Sequence, residues 1–217
     1  MPEIRDNEGY RRFRAALQDG RLRAGMTVTQ NELCEILGLS LSPLRETLVL
    51  LEEFGLVDIR PRTGIRVVYP EVAFIRENYQ FRVLIETAAI RAFVPGASRA
   101  WLEDMRARHL ASRVELEGAE LSDALQERFL GLDRELHHCF VEALGNGAIL
   151  RTHARLQDNI GMARRVHQRT HFRAQLLSTV DEHLKILDSI EARDPEGAVT
   201  SLEAHFRAST FRTFAAA

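Results

Sequence analysis

The stretch "TQNELCEILGLSLSPLRETLVLLEEFGLVDIRPRTGIRVVY", residues 29–69, decides how the front of the chain folds. Thr29 and Glu32 stand in capping-box spacing ahead of an apolar helical pattern that stops at Gly38. After "GLSLS" a second helix opens, with Ser42 expected as its N-cap and Pro43 at the first helical position, and it stops at Gly55. "LVDIR" and "IRVVY" then read as strands joined by the turn residues of "PRTG". Upstream, "GYRRFRAALQDG" reads as one more helix, ending at Gly20. Two short helices and a small β-hairpin form the pattern of a winged helix-turn-helix.

Such a module can read DNA. The first turns of a recognition helix reach base edges in the major groove, where arginine bonds guanine twice, and free N–H groups at a helix N-terminus suit phosphates. Here that helix offers Ser42 and Arg45. The hairpin offers Arg60, Arg62, Thr63 and Arg66 around a turn at Gly64, a basic wing suited to backbone or minor-groove contact. Residues 1–70 nevertheless carry ten arginines and ten acidic residues, so the module is neutral. A protein-contact role for the same shape stays open at this point.

From residue 71 to 217 the strand signal disappears. Helical patterns run near 71–95, 98–117, 121–145, 147–169, 172–192 and 195–214, with breaks at "VPGAS", "EGAE", "LGNG", near Thr170 and at "ARDPEG". The expected fold is mainly α, with a winged helix-turn-helix domain over 1–70 and an all-helical bundle over 71–217. At 45% hydrophobic and 28% charged, the composition is that of a globular chain. No apolar run approaches a membrane span and "MPEIRDNEGYRRF" lacks a signal-peptide core, so a cytoplasmic location is expected. Cys34 and Cys139 lie among apolar helix residues and are expected as two buried thiols, not a disulfide. Lys185 is the only lysine beside 28 arginines, a bias that genome composition explains as readily as function.

The bundle contains an anomaly in "FLGLDRELHHCFVEAL", residues 129–144. Phe129, Leu136, Phe140 and Leu144 form one apolar stripe, and Asp133 and His137 fall on it four residues apart. His183 shares a stripe with Leu176, Val180, Leu187 and Ile190, and His205 lies between Leu202 and Phe206. Burying a carboxylate and imidazoles is costly unless each is partnered. Each can have its own hydrogen-bond partner in the core, or one divalent cation can satisfy all four. Three imidazoles and a carboxylate suit zinc or a similar first-row metal such as nickel. Histidines 109, 138, 153, 167 and 171 read as surface or structural. Arg82 shares an inward face with Asn78, Ile85 and Ala89, and it needs an anion: Glu86 one turn on, or the carboxylate of a bound effector. Asn146 in "LGNG" reads first as a turn or capping residue and second as an effector contact.

"LRAGMTVTQNELCEILGLSLSPLRETLVLLEEFGLVDIRPRTGIRVV" resembles the N-terminal domain of the GntR family of bacterial transcription regulators, through its "L-x-x-G" entry, its "EL…LG" helix, its "SPLRE" start and its hairpin. Arg45 matches the arginine of that start motif and Gly64 the wing glycine. Leu41 and Asn31 stand where the family often carries arginines, which implies an altered operator sequence. "DRELH", "EHLKILDSI" and "AVTSLEAH" resemble the FCD-type effector domain of the FadR subfamily. That resemblance implies a helical bundle around a metal held by Asp133, His137, His183 and His205. It also implies a small carboxylate metabolite, with Arg82 matching the "R-x-x-x-E" of the first effector-domain helix. Together the two resemblances imply a homodimeric, ligand-responsive regulator on a palindromic DNA operator. A metal-dependent hydrolytic enzyme is the competing reading, because a His/Asp-bound metal with an open position can activate water. No inward residue stands out as its general base, so no catalytic residue is assigned.

Overall fold

The computed structural model describes residues 7–53, 55–68, 72–118, 120–167 and 173–215, without the side chains of 18, 72, 73, 162–167, 214 and 215. The expected break near Thr170, His171 and the side chain of His167 fall outside the described residues. The chain divides into two compact units, Met1–Glu71 and Val72–Ala217.

In the first unit, α1 spans Glu8–Gln18 and is capped by Asn7, whose side chain accepts from the Tyr10 N–H. Its Tyr10, Phe13 and Ala16 are buried at helical spacing. The helix α2, Gln30–Leu37, starts with the full reciprocal capping box between Thr29 and Glu32 and ends at Gly38 in the left-handed conformation. The third helix, α3, spans Leu41–Glu53 and buries Leu44, Thr47, Leu48 and Leu51. It begins earlier than Ser42, since Leu44 N–H already bonds the Ser40 carbonyl at 3.1 Å. Ser42 is therefore inside the first turn and not the N-cap. Pro43 is tolerated there because the first four helical N–H groups have no intrahelical partner.

A three-stranded antiparallel sheet, ordered β1-β3-β2, closes this unit: β1 is Thr27–Val28, β2 Val57–Arg60 and β3 Gly64–Val67. The hairpin was expected; β1 is an addition, and two residues are too few to show alternation in sequence. Gly64 sits at φ +116°, and a Cβ there would lie 2.7 Å from the Val28 carbonyl oxygen. That close approach of β1 is what the wing glycine permits.

The second unit contains α4 (Val72–Phe93), a 3-10 turn (Val94–Gly96), α5 (Arg99–Gly118), α6 (Asp123–Glu142), α7 (Gly147–His167), α8 (Arg173–Glu191) and α9 (Pro195–Ala215). The helix α8 packs on α5 and α9, while α4 packs on α6, α7 and α9. Two apolar clusters form. The larger includes Ile90, Met105, Leu136, Phe140, Ile186, Ile190, Leu202 and Phe206. The smaller joins Leu116, Leu125, Phe129, Leu176 and Val180. Along α6 and α8, Asp133 and His183 fall at the seam between these clusters, and His137 lies one turn further on, within the larger. Among the described residues, no helix is long and apolar enough to cross a membrane.

Candidate metal centre

Asp133, His137, His183 and His205 are all buried, and each offers a ligand atom within 4.8 Å of the others. Ligands on opposite sides of one ion, each about 2.0–2.2 Å from it, are about 4 Å apart, so the group is of the right size. Asp133 and His137 come from consecutive turns of α6, His183 from α8 and His205 from α9. The Nε2 atoms of all three histidines are buried and have no hydrogen-bond partner among the described residues. Asp133 Oδ1 lies 3.4 Å from His183 Nε2.

The opposite edge of every ring is held. His137 Nδ1–H donates to Glu86 Oε2 at 2.5 Å, and His205 Nδ1–H donates to Glu182 Oε2 at 2.9 Å. His109 Nδ1–H is committed to the Met105 carbonyl at 2.8 Å, so its Nε2 is the acceptor for His183 Nδ1–H at 3.1 Å. These bonds select one tautomer for each ligand ring, with the Nε2 lone pair facing inward. Metal-ligating histidines characteristically donate their other ring N–H in this way.

The electrostatics agree. Burial pushes His137 down to about 4, against the opposing pull of Glu86, and pushes His183 well below its ordinary value, with His205 adding to the effect. Both rings are neutral at pH 7, as metal ligation requires. Burial alone would raise Glu86, but Arg82, His137 and His153 hold its carboxyl well below the usual range. Burial opposes ionisation of Glu182 too, yet hydrogen bonds from Arg212 and His205 bring it to about 2. A cluster of this donor set, with three inward lone pairs and no proton to share between them, fits a divalent first-row metal.

Arg82 is 2% exposed and pairs through Nε with Glu86 Oε1, while its guanidinium carbon lies 5.0 Å from the centre of the Phe206 ring. Asn146 is exposed, and its side-chain oxygen accepts from the backbone N–H groups of Ala148 and Ile149 at 3.0 and 3.2 Å. It caps α7. The surface reading fails for His109 and His153, which are fully buried around the centre. Helical spacing contained the signal: His109 shares a stripe with Met105 and Leu116, and His153 with Leu156 and Ile160. Glu86 and Glu182 were not singled out as partners of ligand rings. Cys34 and Cys139 are free thiols as expected, but each is only half-buried and not within the core.

In the first unit, Ser42 and Arg45 are exposed on the first turns of α3, opposite its buried face. Arg62, at φ +68°, and Thr63 are exposed at the hairpin tip, Gly64 is half-buried, and Arg66 is half-buried in β3 across from Asp58. Arg60 is paired with Asp58 at 2.7 Å, an exposed contact that a phosphate can displace.

Two family models match the chain: "Bacterial regulatory proteins, gntR family" over residues 7–67 and "FCD domain" over residues 77–208. An uncharacterized HTH-type transcriptional regulator in an unstable DNA locus of Streptomyces ambofaciens is 27% identical over 199 residues, covering 92% of this chain and 80% of that protein. Escherichia coli McbR/YncC has a similar structure, with a TM-score of 0.77 at 17% identity over 99% of both chains. A GntR transcriptional regulator of Rhodococcus sp. RHA1 gives a TM-score of 0.71 at 22% identity over 99% of this chain and 98% of that one. At these identities the solved structures establish a shared fold. The chain belongs to the GntR family of bacterial transcription regulators, with a winged helix-turn-helix followed by an FCD domain.

Proposed function

We propose that the FCD domain of this DNA-binding regulator holds a divalent metal, zinc or another first-row ion such as nickel, on Asp133, His137, His183 and His205. The observation that carries this reading is the set of three buried Nε2 lone pairs without partners, grouped with Asp133. The metal supplies a Lewis-acidic position at the seam of the bundle, and a small carboxylate effector binds beside it. Arg82 Nη2, a buried donor without a partner among the described residues, receives the effector carboxylate, while Glu86 keeps the guanidinium oriented. Effector binding alters operator affinity because it favours one arrangement of the domain over another. On DNA, the chain acts as a homodimer on a palindromic operator. Arg45 reads a base, Ser42 lies beside the phosphates, and Arg60, Arg62, Thr63 and Arg66 engage the backbone or minor groove around Gly64. The centre senses and does not catalyse: the carboxylates beside it, Glu86 and Glu182, are committed to ligand rings and arginines, and the family consists of regulators.

Thermal unfolding in the presence of small carboxylic acids, with and without prior chelation, tests the proposal. A ligand at a hundred times its dissociation constant adds about 2.7 kcal/mol of stability. A stabilising acid whose effect disappears on chelation, and in Asp133→Ala, is expected. Equal stabilisation of wild type and Asp133→Ala by zinc moves the metal elsewhere, and an acid effect that survives chelation separates effector from metal.

A further inference from the structure

Outside the four ligands, α4 and α7 face each other across a second set of buried polar groups: Asn78, Arg82 and Glu86 from α4, His153 and Asn159 from α7. Their hydrogen bonds determine which atoms donate and which accept. The Phe74 backbone carbonyl can only accept, so Asn78 offers it Nδ2 at 2.7 Å and keeps Oδ1 as an acceptor. Asn159 must then present Nδ2 to Asn78 Oδ1, at 2.9 Å. Asn159 Oδ1 is left as a buried acceptor with no partner among the described residues.

The other end is determined in the same way. The Glu86 carboxylate only accepts, so His153 gives it the Nε2 proton at 2.7 Å. Burial disfavours a second proton on that ring, which leaves a lone pair on Nδ1. His153 Nδ1 is also buried and without a partner among the described residues. Arg82, whose Nη2 is an unpartnered donor, stands on α4 between the Asn78–Asn159 contact and the Glu86–His153 contact. Along α4, one cationic donor thus stands at a level between those of two neutral acceptors. Six residues of α7 separate the acceptors, about 9 Å along the helix axis.

A ligand that completes this set carries an anion for Arg82 and a hydrogen-bond donor for each lone pair. A dicarboxylate or a keto acid at neutral pH satisfies the guanidinium and has no proton to offer His153 or Asn159. Hydroxyl groups do. Building on the effector site proposed above, we infer that the effector is a polyhydroxylated carboxylate, a sugar acid, with its carboxylate at Arg82 and the metal and its hydroxyls donating to His153 Nδ1 and Asn159 Oδ1. A polar group buried without its partner costs enough that an acid lacking the hydroxyls binds at least about tenfold more weakly.

Calorimetric titration of the full-length, metal-loaded protein tests this, with six-carbon aldonates and uronates compared with adipate and hexanoate. At least one sugar acid is expected to bind at least about tenfold more tightly than adipate. His153→Phe, which keeps a ring, and Asn159→Leu, which keeps the volume, are each expected to remove that advantage in variants that still unfold cooperatively and still hold zinc, at a lower melting temperature because Glu86 or Asn78 loses a buried hydrogen bond. Adipate or hexanoate binding as tightly as every sugar acid, with binding still lost on chelation, overturns the sugar-acid assignment and leaves the effector site standing. So does an unchanged sugar-acid affinity in either folded variant. No binding by either class, in protein that holds its metal, overturns both.

Discussion

Replacing Glu86 by glutamine removes a single charge from the middle of the second unit. Glu86 is 0% exposed and accepts from Arg82, His137 and His153. In Glu86→Gln the Arg82 guanidinium remains buried without a counter-ion, and breaking a buried pair from one side costs about 3–5 kcal/mol. Removing both charges in Arg82→Met/Glu86→Gln avoids the stranded ion, so the double variant should be less damaged than the two single costs added together, with a coupling of about 2–3 kcal/mol. Urea unfolding of the metal-free protein measures this. Trp101, the only tryptophan, is partly buried and packs on Phe93 and Phe140 at the edge of the larger apolar cluster, and its fluorescence reports on the helical unit alone. The same substitution deprives His137 of its carboxylate acceptor, which should weaken zinc binding by about 10- to 100-fold. A loss of stability under about 1 kcal/mol in Glu86→Gln, or simple additivity in the double variant, would refute the reasoning.

Two further expectations concern acid and DNA. Unfolded, His137 titrates near 6.5; folded, it is held at about 4 by burial. Between those values the unfolded chain binds more protons, so the contribution is complete above about pH 6.5 and is lost as the pH falls towards 4, at about 1.4 kcal/mol per pH unit for each such ring. His183 acts in the same direction. The urea midpoint of the metal-free protein should fall between pH 7 and pH 5; a constant midpoint is the contrary result. Arg45→Ala should cost about 1–3 kcal/mol of operator affinity by fluorescence anisotropy and relax base preference at one position. A uniform loss on all DNA, with the salt slope reduced by about one, would make Arg45 a phosphate contact instead.

Helix ends and faces were legible from local pattern. Thr29 and Glu32 form the capping box that their spacing announces, and Gly38 adopts the left-handed conformation that ends α2. The two apolar clusters bury the stripes of α6 and α8, and with them Asp133, His137 and His183. The start of α3 was misread because Ser40 and Ser42 are both competent caps and only the backbone path chooses between them. The strand β1 was missed because two residues become a strand only when β3 lies beside them.

The environment of the centre was less legible. Periodicity marked the inward stripes of α6 and α8 but not the inward places of His109 and His153, and it relates positions three and four apart and nothing more distant. The contacts that give those residues their chemistry join His137 to Glu86, His205 to Glu182, His183 to His109 and Asn159 to Asn78, across separations of 23 to 81 residues. Sequence by itself determined the helices, their caps, the buried stripes and the residue types that reach the seam. Which nitrogen of each ring faces the centre, and which buried atoms lack a partner, was decided only when packing brought α4 to α9 together, because hydrogen bonding depends on distance and direction between atoms that no local pattern relates.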